Sequence, residues 1–230
     1  MPEALPKTAA RPADNDGKLS DAARLQILST EHWSLLATRS MSWSESFSRT
    51  SMYLSTLTGS VVALALVGQA MPGQGFVVFA LVLLPVVLFL GIATYARLVA
   101  INIEDIHWVV GMNRIRNAYV QLAPDVEKYF VTGVHDDPVG VMKTFAASPG
   151  TQFFHSFVTT PGMLAVINGV VAGVLVGLVV GVVGFDMTVA IVAGAITFVL
   201  LVAGLMLYQS RSWNEYVSET KPMYPASQDQ

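Results

Sequence analysis

Residues 162–208 read GMLAVINGVVAGVLVGLVVGVVGFDMTVAIVAGAITFVLLVAGLMLY, and this stretch decides the fold. Its one charged side chain, Asp186, follows Phe185 at a break between two apolar runs, Gly162–Phe185 and Met187–Tyr208. Each run reaches the roughly 20 residues that a helix rising about 1.5 Å per residue needs to cross a hydrocarbon layer of about 30 Å. Lipid offers no hydrogen-bond partners to the backbone, so such a run spans as a helix. The Phe185-Asp186 break is too short for anything but a tight reversal between the two.

Further towards the N-terminus the pattern recurs. Met52–Met71 and Phe76–Ala96 are apolar runs divided by Pro72-Gly73-Gln74-Gly75, and none of the four runs contains Asp, Glu, Lys, Arg or His. Apolar residues at a helix centre favour insertion by about 0.3–0.6 kcal/mol each. Even the first run, with Ser55, Thr56, Thr58 and Ser60, is therefore expected to insert. The fold class predicted is all-α: a polytopic membrane protein with four transmembrane helices in two hairpins.

Composition agrees. Of 230 residues 53% are hydrophobic and 13% charged, outside the usual soluble range. A net charge of −3 supplies no basic field, so no nucleic-acid partner is expected. The chain has no Cys, which excludes disulfides, thiolate ligands and Cys nucleophiles while leaving His and carboxylate chemistry open. No apolar run lies near residue 1, so the first span is expected to serve as its own uncleaved signal.

All thirteen Lys and Arg fall in residues 1–51, 97–161 and 209–230, and neither turn between paired runs holds one. The positive-inside rule then predicts cytoplasmic N- and C-termini in a bacterial inner (plasma) membrane. All four Trp and all seven Tyr lie on or at the border of that side, and Tyr53, Tyr95 and Tyr208 stand where an interfacial aromatic belt is expected.

Residues 1–19 mix Pro, Ala and charges without periodicity and read as a disordered cytoplasmic tail. Residues 20–130 combine an amphipathic helix, the first hairpin and a stalk. Leu25, Leu28, His32, Leu36, Trp43 and Phe47 recur at helical spacing before the first span. After the second span, Leu98, Ile101, Asp105, Trp108, Met112, Ile115, Tyr119 and Leu122 alternate steps of three and four, a heptad-like seam. The two helices are expected to run antiparallel as a cytoplasmic stalk of roughly five turns. Pairing Leu54 with Tyr95 brings Glu45 towards Glu104 and Asp105.

Residues 131–161 read as a cytoplasmic linker with short interfacial helices. Asp136-Asp137-Pro138 resembles a cap and first helical position, and Phe153, Phe154 and Phe157 are expected along the inner interface. Residues 162–210 hold the second hairpin, and 211–230 a cytoplasmic C-terminal tail.

The most pronounced local pattern is a glycine ladder, Gly169, Gly173, Gly177 and Gly181, extended backwards by Ala165. Small residues at every fourth position let another backbone approach closely. Two occupants suit the groove: a neighbouring copy in a homo-oligomer, or the chain's own Ala190, Gly194 and Ala203. Asn168, the one amide deep in this hairpin, needs a partner in hydrocarbon. Pro85 removes a helical donor and is expected to kink the second span.

On the stalk, Glu104 and His107 form an E-x-x-H pair, the spacing used by carboxylate-bridged metal sites, and the expected pairing brings Glu45 close to it beside Asp105. Ordinary ion pairs to Arg49 or Arg97 account for the same residues, and the identity of any metal is left open. Arg114 and Arg116, with Arg39 opposite, are expected to form solvated salt bridges, and the same arrangement suits phosphate or an acidic partner. The common enzyme signatures are absent, so no catalytic residue and no cofactor is expected.

The absence of ionisable groups from the spans argues against a proton- or sodium-coupled transporter. The expectation is a non-enzymatic membrane protein, a homo-oligomer forming a passive, channel-like pore with a cytoplasmic sensing stalk. Its partners are then the lipid bilayer, further copies of itself and a cytoplasmic protein. The alternative is an accessory or scaffolding subunit of a larger membrane complex.

Overall fold

A computed structural model describes residues 19–145 and 159–226, and among these every regular element is a helix. Ser20 caps the first, α1 (Asp21–Ala70), by accepting from the Ala23 amide at 3.3 Å. The amphipathic stretch and the first apolar run are one helix of 50 residues, because no Gly or Pro stands between Asp21 and Met52. Gly73, at φ 85°, turns the chain into α2 (Gln74–Leu122), which passes through Pro85 without interruption. Pro124 starts a short 3₁₀ helix, Pro124–Tyr129. Asp137 caps α3 (Pro138–Thr144) by accepting from Gly140, with Pro138 in its first turn. α4 (Thr160–Val183) ends at Gly184 in the left-handed region, and Asp186 caps α5 (Met187–Glu219).

Four of these helices, α1, α2, α4 and α5, are long and apolar enough to cross a membrane. α1 packs along α2 and α4 along α5, while α2 also meets α4, α5, the 3₁₀ turn and α3. α2 is thus the central post, with Leu84, Val87, Tyr95, Leu98 and Val99 buried against Tyr53, Leu164 and Ala165. A second, smaller core gathers Ile106, Val109 and Val110 with Val141, and Trp213 and Tyr216 of α5 pack on it. The bundle is thin: α1 buries only Ser42, Tyr53 and Ser60, and α5 only Gly194.

Several expectations are revised. α5 continues as helix to Glu219, so residues 211–219 of the segment read as a tail are helical. Tyr53 and Tyr95, expected in an outward belt, are 2% and 1% exposed, since each hydroxyl finds a partner inside the bundle. The expected 1–19 tail, except Leu19, lies outside the described residues, as do Phe153, Phe154 and Phe157.

Candidate functional site

Three groups of residues stand out. The first is a polar node deep in the apolar half. Asn168 of α4 is fully buried, and its Oδ1 accepts from the Tyr53 hydroxyl of α1 at 3.0 Å. Gly91 of α2 makes the space for this bond. A Cβ built there would collide with Asn168 Oδ1 and lie 2.6 Å from the Tyr53 hydroxyl oxygen. One residue from each of three helices therefore meets at one point. Tyr95 pins the fourth by donating to the Leu205 carbonyl of α5 at 2.6 Å.

The glycine ladder is occupied by the chain's own α5. A Cβ on Gly173 would lie 2.7 Å from the Gly194 carbonyl oxygen, and one on Gly194 the same distance from that of Gly173. Gly177 faces the Ala190 carbonyl and Gly169 faces Phe198 and Val202. Ala203, expected in this groove, is exposed. Ala165 is fully buried in the main core, whereas nothing lies within 4 Å of a Cβ on Gly181.

The second group is the charged stalk. Glu45 is bridged to Arg97 at 3.0 Å, Arg97 also binds Glu104 at 2.7 Å, and Arg49 returns to Glu45 at 2.7 Å. Glu45 and Glu104 are thus joined through a guanidinium. Hydrogen bonds from Arg97 and then Arg49 hold the Glu45 carboxyl down at about 2, and those two carboxylates raise Arg97 above the usual arginine value.

Asp105 goes elsewhere: it takes a two-pronged bond from Arg39, at 2.6 and 3.2 Å, and a third from the Trp43 indole at 3.3 Å. His107 turns to α5, its ring edge-on to Tyr216 and to Trp108. The E-x-x-H pair is therefore split between two neighbours, and no group of three His, Asp or Glu among the described residues is placed to hold a metal ion.

Beyond these pairs, fully buried Asn113 donates to the His135 carbonyl at 2.8 Å and accepts from Arg116 and Thr144 at 2.8 and 3.0 Å. Asp136, 2% exposed, forms a clasp for residues 221–226. Its oxygens accept from the Met223 and Tyr224 amides, both at 2.8 Å, and from Arg114 at 2.7 Å. Asp137 accepts from the Ala226 amide at 3.0 Å. Burial alone would raise the Asp136 carboxyl, but the bonds from Met223, Arg114 and Tyr224 outweigh it and leave it lowered.

The third group is a face of α1. Ser40, Ser44, Ser48, Ser51, Ser55 and Thr58 step by three or four residues, all exposed, on the side of α1 turned away from buried Ser42, Tyr53 and Ser60. Thr58 returns its hydroxyl to the Leu54 carbonyl at 2.8 Å. The hydroxyls of Ser48, Ser51 and Ser55 have no partner among the described residues. The serine count of the first span was visible in the sequence; its alignment on one face was readable from the spacing but not from composition. The Tyr53–Gly91–Asn168 node and the Asp136 clasp carried no local signal, since their members lie far apart in the chain.

No protein-family model, no curated protein and no solved structure matches this chain.

Proposed function

We propose that the chain is a non-enzymatic subunit of a homo-oligomeric assembly in a bacterial inner membrane, forming a passive, channel-like path. The four long apolar helices cross the bilayer as two hairpins, with the charged stalk and both termini in the cytoplasm, as the distribution of Lys and Arg favours. The observation that carries the reading is the hydroxyl face of α1. Where this face enters the first span, at Ser55, a hydroxyl without a partner among the described residues is costly against lipid chains, and the small hydroxyl residues along the face suit either close helix contact or a water-lined path. With the glycine ladder taken up by α5, α1 is the helix that turns to neighbouring copies.

The cysteine-free chain makes the test direct. Ser51→Cys and Ser55→Cys are expected to cross-link between copies in a phospholipid nanodisc and, in a planar bilayer, to let a water-soluble thiol reagent reduce conductance. A particle containing one copy, or a pure preparation with no ion flux under any stimulus, overturns the pore.

The second reading is an accessory subunit. It is favoured by α5, which buries only Gly194 and so leaves most of its surface for a different membrane protein. A single-copy particle in the same nanodisc measurement, with a foreign protein co-purifying, would select it.

A further inference from the structure

Four of the stalk arginines are matched by carboxylates: Arg39 by Asp105, Arg49 and Arg97 by Glu45, and Arg114 by Asp136. Arg116 is not. It is half-buried, and among the described residues no carboxylate pairs with it. Its one hydrogen bond runs from NH1 to Oδ1 of Asn113 at 2.8 Å. Asn113 is itself immobilised by the His135 carbonyl and Thr144, so this contact fixes the guanidinium in place. The charge that acts on Arg116 is the like charge of Arg39, and burial with that charge works against its cation.

Across the seam stands His32 of α1. Ring contact between His32 and Tyr119, 6.4 Å between centroids, and the approach of Leu35 to Gly111 place Arg116 between these two levels of the paired helices. The His32 Nδ1 is buried and has no partner among the described residues. Burial and the charge of Arg116 lower its pKa, so the ring is neutral at neutral pH and carries a single N–H.

A partly buried guanidinium beside a second cation is unfavourable until an anion joins it, because desolvation and repulsion both penalise the charged form and Arg does not deprotonate. Among the described residues the local charge is one anion short of neutral: Asp105 answers Arg39, and no carboxylate answers Arg116. Donors on two facing helices suit a tetrahedral oxyanion, which presents oxygens in both directions, better than a planar carboxylate, which one guanidinium edge can satisfy alone. We propose that Arg116, with His32 opposite, binds a phosphoryl oxyanion, either inorganic phosphate or the phosphate group of a soluble metabolite.

The aqueous source follows from position. Arg116 lies roughly 28 Å along α2 from Arg97 at about 1.5 Å per residue, beyond the reach of lipid headgroups. That source rests on the reading that the stalk projects into the cytoplasm. Occupancy would tie α1 to α2 below the segments that continue into the bilayer, and so gives the stalk a ligand to sense.

The test uses the full chain, in phospholipid-free detergent and in phosphatidylcholine nanodiscs, titrated with inorganic phosphate against chloride at constant ionic strength. Saturable binding of one phosphate per chain is expected in both, with a change in the His32 ring NMR signal. Arg116→Gln is expected to weaken binding at least tenfold, Arg116→Lys less, and Lys128→Gln not at all.

In phosphate-free buffer Arg116→Gln should melt no lower than the parent, since it removes an unmatched charge; a clear fall would mark the arginine as structural and overturn the proposal. No saturable binding, or binding indifferent to Arg116→Gln, also overturns it. A response confined to the nanodiscs overturns the aqueous source. These readouts do not depend on conductance, so a failed pore and a failed anion site are told apart.

Discussion

The bond between Tyr53 and Asn168 and the glycine that admits it make a sharp residue-scale test. Hydrogen bonds between membrane helices contribute modestly, so Tyr53→Phe is expected to cost about 0.6–1.7 kcal/mol in a reversible unfolding assay in micelles. Gly91→Ala drives a methyl into both partners and is expected to cost more, roughly 1–3 kcal/mol. The reverse order would mean that Gly91 is not there to make room for the bond. Along the ladder, Gly173→Ile should lower the melting temperature sharply, because the Gly194 backbone blocks its side chain, whereas Gly181→Ile should leave it unchanged. A change of particle mass in the Gly181 variant would instead place that end of the ladder between copies. The ladder was legible because its members are four residues apart. Tyr53 was not legible as the partner of Asn168, because 115 positions separate them and a tyrosine near an apolar boundary also suits an aromatic belt.

At the scale of elements, the apolar runs and the heptad-like seam foretold two long paired helices, but not how they align. The expected pairing set Glu45 beside Glu104; in the structure the Arg97 guanidinium joins the two. Apolar positions recur every heptad, so the seam by itself does not fix the register. Ion pairs between the helices, Arg39 with Asp105 and Arg97 with Glu45, add to it. Asp105→Ala, which removes the buried carboxylate shared by Arg39 and the Trp43 indole, should cost about 1–3 kcal/mol. Glu45→Gln, at an exposed bridge, should cost far less. Because the Glu45 carboxyl is lowered from 4.5 to about 2, its contribution is complete above the unfolded value and fades only as pH falls between these two. Loss of that contribution near neutral pH, measured as a pH-dependent melting difference between parent and Glu45→Gln, would contradict the bridge.

For the molecule as a whole, the Asp136–Asp137 clasp joins α2 and the start of α3 to the segment that follows α5. Asp136→Ala leaves Arg114 and two backbone amides unanswered and is expected to cost roughly 2–4 kcal/mol. Its signature is local: the Met223 and Tyr224 amides should exchange faster in the variant. The lowered Asp136 carboxyl fixes the sign with pH. Protection of those amides, corrected for intrinsic exchange, should stay level from about pH 8 to about pH 5 and fall only below 3.8, the ordinary value. A midpoint above that value would show that the carboxylate does not hold the strap. The clasp also sets an order of events during biogenesis. A ribosome makes Asp136 long before Met223, Tyr224 and Ala226, and two long apolar helices lie between. Until those last amides emerge, the acid and Arg114 have only each other and water, so this end of each newly made chain stays unlatched while α4 and α5 are still being made.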